Sequence, residues 1–179
     1  MKKILLLLIV LLSVPTVKAQ SGNGAMDAVI LEQANKMGNA FIAGEYDTFG
    51  GYAHPTIVTM MGGKEKMVAE IMRSFELIKS KGVAFTAINY GKPTEIIQYE
   101  GQLQCTLSQT IKMDTDGGKV DAEAILIAVS MDNGENWYFI DPTGNSIDTM
   151  RKIIPTLSRS LKIPEGTPPE TISVGTKEN

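Results

Sequence analysis

Residues 38–78 read GNAFIAGEYDTFGGYAHPTIVTMMGGKEKMVAEIMRSFELI, and this stretch decides the fold. It opens on the end of an amphipathic helix whose apolar face, Met26, Ile30, Ala34, Met37 and Phe41, recurs at helical spacing. Gly44 is placed to end that helix, because glycine accepts the left-handed conformation common at such ends. Glu45–Phe49 reads as a short helical turn, broken by Gly50 and Gly51. Pro55 pushes His54 toward extended geometry, and the β-branched run Thr56–Met60 (TIVTM) is predicted as a short strand. Gly62 and Gly63 turn the chain again. Met67, Ile71, Phe75 and Ile78, widened by Val68 and Met72, then form the stripe of a second long helix. Lys79 and Lys81 suit its last turn, and Gly82 stops it.

Downstream, the apolar period changes from helical to two. Val83–Ile88 and Thr94–Tyr99 are strand segments, with Pro93 between them and a turn at Glu100-Gly101. Leu103, Cys105, Leu107, Gln109, Ile111 and Met113 alternate with Gln104, Thr106, Ser108, Thr110 and Lys112. Asp114–Gly118 connects this strand to a second long one, Lys119–Ser130. Asn133-Gly134 is a strong hairpin signal, and Glu135–Asp141 returns from it. Ser146 can cap a final helix through Ile147, Met150, Ile153 and Ile154, with Leu157 and Leu161 completing an apolar face. The expected class is α+β: N-terminal helices packed on a curved antiparallel meander sheet, plus a C-terminal helix.

The first residues, MKKILLLLIVLLSVPTVKA, place Lys2 and Lys3 before an apolar run, Ile4–Leu12, too short to span a bilayer. Val17-Lys18-Ala19 is a small-x-small cleavage site, so 1–19 reads as a secretory signal peptide. No cysteine follows the apolar run as a lipid anchor would need. The expected organisation is a signal peptide at 1–19, a flexible lead-in at 20–25, one domain at 26–161 and a disordered Pro-rich tail at 162–179. The expected location is periplasmic or secreted, with no stable membrane insertion once the signal is cut. Losing Lys2, Lys3 and Lys18 takes 17 basic residues to 14 against 20 acidic ones, a net charge of about −6. With no Lys/Arg cluster, such a domain lacks the phosphate-neutralising groups that nucleic-acid binding requires.

Few residues carry a chemical signal. His54 is the single histidine, which excludes a two-histidine metal site; it is a candidate acid or base, or else a corner residue bonding the backbone before Pro55. Cys105 is the single cysteine and sits in an apolar alternation, as a small buried hydrophobe does. Asp121 and Glu123 share a strand face that becomes apolar at Ile125, Ile127 and Val129, so that face is expected to start in solvent and end buried. Asp114-Thr115-Asp116-Gly117-Gly118 lacks the ligand spacing and flanking helices of a calcium loop and reads as a turn. No metal or cofactor is expected. The weak catalytic candidates are His54, Tyr52 and Asp121.

The order helix, short turn, strand, helix and strand meander resembles the NTF2-like superfamily, also described as SnoaL-like or cystatin-like α+β cones. Ala43–Pro55 (AGEYDTFGGYAHP) resembles its short second helix and exit, Gly62–Met67 (GGKEKM) the entry to its third helix, and Gly134–Asp141 (GENWYFID) a late strand with Trp137 in its common place. The resemblance covers roughly residues 26–141. It implies a pocket between sheet and helices and a homodimer through the sheet's outer face. The candidate pocket residues are Tyr46, Tyr52, His54, Trp137 and Met72. Superfamily members include isomerases, cyclases, dehydratases and non-catalytic binding domains, so function has to be argued from the site. The scarcity of paired acids and bases favours a non-catalytic domain that binds a small apolar molecule or a protein. The alternative is a small isomerase, cyclase or dehydratase using His54 and Tyr52, or an acid on the sheet.

Overall fold

The computed structural model describes residues 22–161 and 171–174. The expected signal peptide and the tail residues 162–170 and 175–179 lie outside the described residues. Among the described residues the elements run α1 (Gly22–Ala43), α2 (Tyr46–Gly50), α3 (Pro55–Met60), α4 (Lys64–Ser80), β1 (Ala84–Tyr90), β2 (Ile97–Tyr99), β3 (Gln102–Thr115), β4 (Gly118–Ser130), β5 (Tyr138–Ile140), α5 (Ile147–Ile153) and β6 (Thr171–Val174). The protein is α+β, with N-terminal helices, an antiparallel sheet and a C-terminal helix.

The long β3–β4 hairpin is the spine, paired from Leu103↔Ser130 down to Thr115↔Gly118. Its tip has Gly118 at φ 118°, and the Thr115 hydroxyl donates to the Gly118 carbonyl (2.9 Å). Each outer edge of the spine is shared by two short strands. β1 and β2 take successive parts of β3; β5 and β6 take successive parts of β4. The β2–β3 turn is Glu100-Gly101, both at positive φ, as a two-residue hairpin turn of matching twist requires.

Alternation along the spine sends successive side chains to opposite layers. Cys105, Leu107, Leu126 and Ala128 face α1, where they meet Ile30, Ala34, Met37, Trp137 and Phe139. Ile127 and Val129 face the other way and meet Ile140, Met150, Ile154, Leu157 and Leu161. The sheet is therefore covered on both faces at its open end, by α1 and by α5 with the segment after it. Gln104 is fully buried in the second layer. Its Nε2 donates to the Thr156 carbonyl (2.7 Å) and its Oε1 accepts from the Ser158 N–H (2.9 Å), clasping the chain that follows α5. Toward the hairpin tip the same face opens: Glu123 is exposed and Asp121 half-buried, the gradient expected for this strand.

Several expectations are corrected. Thr56–Met60 is helical, in α3, and not a strand. Pro55 supplies the first helical residue, where its missing N–H costs nothing, and the extended His54 (φ −60°, ψ 134°) is the cap. Packing of Ile57 against the α5 layer outweighs the weak β preference of Thr, Ile and Val. α1 begins at Gly22, inside the stretch 20–25 expected as a lead-in. Thr171–Val174, inside the stretch read as a disordered tail, pairs with Lys119–Ala122 as β6, filling an edge of β4 that the local sequence does not advertise. Only Tyr138–Ile140 of the expected return strand pairs with β4. The preceding loop holds Asn133 and Gly134 at positive φ around Asp132, which accepts from the Asn136 N–H (2.9 Å), Asn136 Nδ2 (2.7 Å) and the Ser130 hydroxyl (2.8 Å). Ser146 does cap α5, accepting from the Thr149 N–H (3.2 Å).

Candidate functional site

Five aromatic rings converge where the C-terminal end of α1 meets α2, α4 and β1. Phe41 lies 4.4 Å from Phe75, 5.1 Å from Phe85 and 5.4 Å from Phe49, and Tyr46 stacks on Phe75 at 5.8 Å. Such pairs contribute about 0.5–1.5 kcal/mol each beyond the area they bury. They hold α4 to the body, for α4 buries only Met67 fully.

Beside this cluster lies an open cavity of about 360 Å³, at the small end of ligand-pocket sizes. Phe41, Tyr46 and Phe85 border it, the first two only 7% exposed, Ile42, Val83 and Ala84 add aliphatic surface, and Lys79 is the one charged side chain among its described lining residues. The Lys79 ammonium stands 5.9 Å from the centre of the Tyr46 ring. The Tyr46 hydroxyl, and then Glu76, hold its pKa above the ordinary lysine value. Gly82 completes the rim at φ 78°; the Asp116 carboxylate of the β3–β4 turn comes within 2.9 Å of where a Cβ would stand.

Of the residues singled out from sequence, Tyr46 lines this cavity. Met72 does not belong to it and is 48% exposed on α4. Trp137 is buried at the other end of the α1 layer, its indole N–H on the Gly134 carbonyl (3.1 Å) and its backbone N–H on Gln33 Oε1 (2.8 Å). Tyr52 and His54 flank Ala53, which bridges to Phe139 of β5. Tyr52 packs with the α1 layer and lies 6.4 Å from Phe139; the His54 ring lies 6.5 Å from Tyr138. Because Tyr138 and Phe139 face opposite sides of their strand, Tyr52 and His54 stand on opposite sides of β5. Asp121 pairs with Lys112 across the hairpin (2.6 Å).

His54 is 3% exposed. Its Nδ1 accepts from the Thr56 N–H (3.2 Å), the backbone role foreseen for it, while Nε2 meets no partner among the described residues. Burial lowers its pKa below the ordinary histidine value, because a cation there would lack solvent. Cys105 is fully buried, and burial, then Asp27, pushes its thiol up to about 12, so it stays protonated and unreactive at neutral pH. Among the described residues no three His, Cys, Asp or Glu side chains converge as a metal would require. Among the same residues no helix is long and apolar enough to cross a membrane.

The cavity's key residues carry little signal in the chain. Phe41 reads as core, Lys79 as a helix-end charge and Gly82 as a helix stop. The one hint is that Phe41, Phe75 and Phe85 are aromatic near the ends of α1, α4 and β1. No protein-family model matches the chain, and comparison with curated proteins finds no relative.

Proposed function

We propose that this is an exported, non-catalytic binding domain of NTF2-like type that holds a small, largely apolar molecule in the cavity between α1, α2, α4 and β1. The observation that carries this reading is the cavity itself: a mostly apolar lining with a single charged side chain among the described residues. The separation of the acid–base candidates supports it further. His54 is committed to capping α3, Tyr52 lies across β5 from it, and Asp121 is paired with Lys112. Export rests on the N-terminal sequence. A homodimer, which the resemblance implies, would find the face opposite α1 already half covered by α5, leaving it the charged half near the hairpin tip.

Native mass spectrometry of protein purified from its own host tests the reading. The expected result is a co-purified mass below a few hundred daltons that is absent from a Val83→Trp variant, whose indole would fill the cavity from the side Phe85 faces. An empty protein, or a bound mass indifferent to Val83→Trp, would count against it.

A further inference from the structure

We infer that His54 is an acid-sensitive latch: protonating its ring uncaps α3 and frees that helix from the α5 layer while the sheet stays folded. This device is independent of the cavity and of any ligand.

The cap needs the neutral ring. Nδ1 accepts from the Thr56 N–H at 3.2 Å, so in the neutral imidazole the proton sits on Nε2. An arriving proton can go only to Nδ1, and an imidazolium is a donor at both nitrogens. Protonation and capping therefore exclude one another at a single atom: two N–H groups would meet where one hydrogen bond had been.

The new charge would find no compensation. The ring is buried, and Nε2 meets no partner among the described residues. Tyr138 of β5 is the titratable group that faces it, edge-on with ring centres 6.5 Å apart, and a phenol is uncharged at neutral pH and below. Residues 50–63, which hold α3 and its flanking turns, contain no other titratable side chain than Tyr52, and that lies across β5. On α5, which shares this side of the sheet, Arg151 pairs with Asp148 (3.5 Å) and donates to the Ser158 carbonyl (3.1 Å), and Lys152 is exposed. At the start of α4, Lys64 reaches Asp47 of α2 (2.9 Å), and Glu65 and Lys66 are exposed. Burial is what holds the ring's basicity below the ordinary histidine value.

α3 is the part free to move. It buries no residue fully, and its half-buried Ile57 is what packs on the α5-side cluster. Its two ends are pinned separately. Ahead of it, Ala53 bridges to Phe139, and the Tyr52 carbonyl accepts from the Phe139 N–H (2.8 Å). Behind it, Gly62 and Gly63, at φ 82° and 101°, turn the chain into α4, and glycine takes other backbone angles at little cost. A helix of six residues hung between a fixed bridge and a glycine hinge can open without unzipping the β3–β4 spine. Asparagine would cap equally well without titrating; the imidazole adds a dependence on pH near neutrality.

Residue-resolved amide hydrogen exchange by NMR, each rate referred to the unstructured rate at the same pH, tests the latch as pH is lowered through the His54 titration. The reporters are the Ile57, Val58, Met61 and Gly63 amides, which bond within α3 and its exit turn; the β3 and β4 amides are the controls. Loss of a cap is worth about a factor of ten in helix opening, so reporter protection should fall about tenfold as His54 protonates while the controls hold. Ring nitrogen shifts should place the neutral proton on Nε2, and in His54→Asn the reporters should keep their protection in acid. The latch is overturned if the reporters are unprotected already at neutral pH, or hold their protection while His54 titrates. It is equally overturned if they lose protection only together with the controls, or to the same degree in His54→Asn, or if the neutral ring carries its proton on Nδ1.

Discussion

Replacing Gln104 by methionine tests how the sheet's second layer is held. The two side chains are similar in length, so the substitution removes polar atoms with little change in volume. Gln104 is fully buried and bonds Thr156 O at 2.7 Å and Ser158 N at 2.9 Å. Each bond contributes about 1 kcal/mol net, and an orphaned buried donor costs about 1–3 kcal/mol. Ser158 is itself 2% exposed, so its N–H has little access to water once Gln104 is gone. The expected loss is about 2–4 kcal/mol, which for a domain of this size lowers Tm by roughly 5–15 °C. Urea unfolding followed through Trp137, the single tryptophan and a buried one, reads the change by linear extrapolation. Gln98→Met on the exposed side of β2 is the matched control, with an expected change within about 0.5 kcal/mol. Should Gln104→Met cost under 1 kcal/mol, or no more than the control, the clasp does not hold the segment after α5 and the argument collapses.

Two further perturbations follow from buried polar groups. His54 binds a proton less readily folded than unfolded; stability is therefore complete above the unfolded value near 6.5, declines as pH falls below it, and stops declining once pH passes under the folded value. Asn at 54 keeps a capping acceptor and should abolish this slope between pH 7 and 5; a flat wild-type profile, or the same slope in the variant, would refute it. Gly38 lies under Tyr90, whose hydroxyl would be 2.9 Å from an added Cβ and meets no partner among the described residues. Gly38→Ala should cost about 1–3 kcal/mol and Tyr90→Phe little or nothing. The double variant should recover at least 0.5 kcal/mol relative to additivity, and strictly additive losses would show that the contact is not the cause.

The cavity and the two covered faces differ in how they were legible. The alternation at Leu103–Met113 and the helical stripe through Ile30, Met37 and Phe41 are repeated over many residues, and period alone assigned them to sheet and helix. Asp121 and Glu123 leading into Ile125, Ile127 and Val129 foretold a strand running from solvent into core. Short elements carried too few repeats for this. TIVTM satisfied a strand pattern, and the Pro55 that made His54 extended was equally the first residue of a helix; packing of Ile57 on the α5 layer chose between them.

Local chemistry in the chain thus determined the class of fold, the capping by Ser146, the turn at Glu100-Gly101 and the inert burial of Cys105, since each depends on neighbours a few residues away. Tertiary structure alone decided that α1 and α5 take opposite faces, that Gln104 turns inward to a segment 52 residues on, that Tyr52 and His54 are parted by β5, and that Lys79 meets Tyr46 across 33 positions. Such juxtapositions join residues far apart in the chain, and no periodicity records them; they exist only once the spine has folded and brought the ends of its helices together.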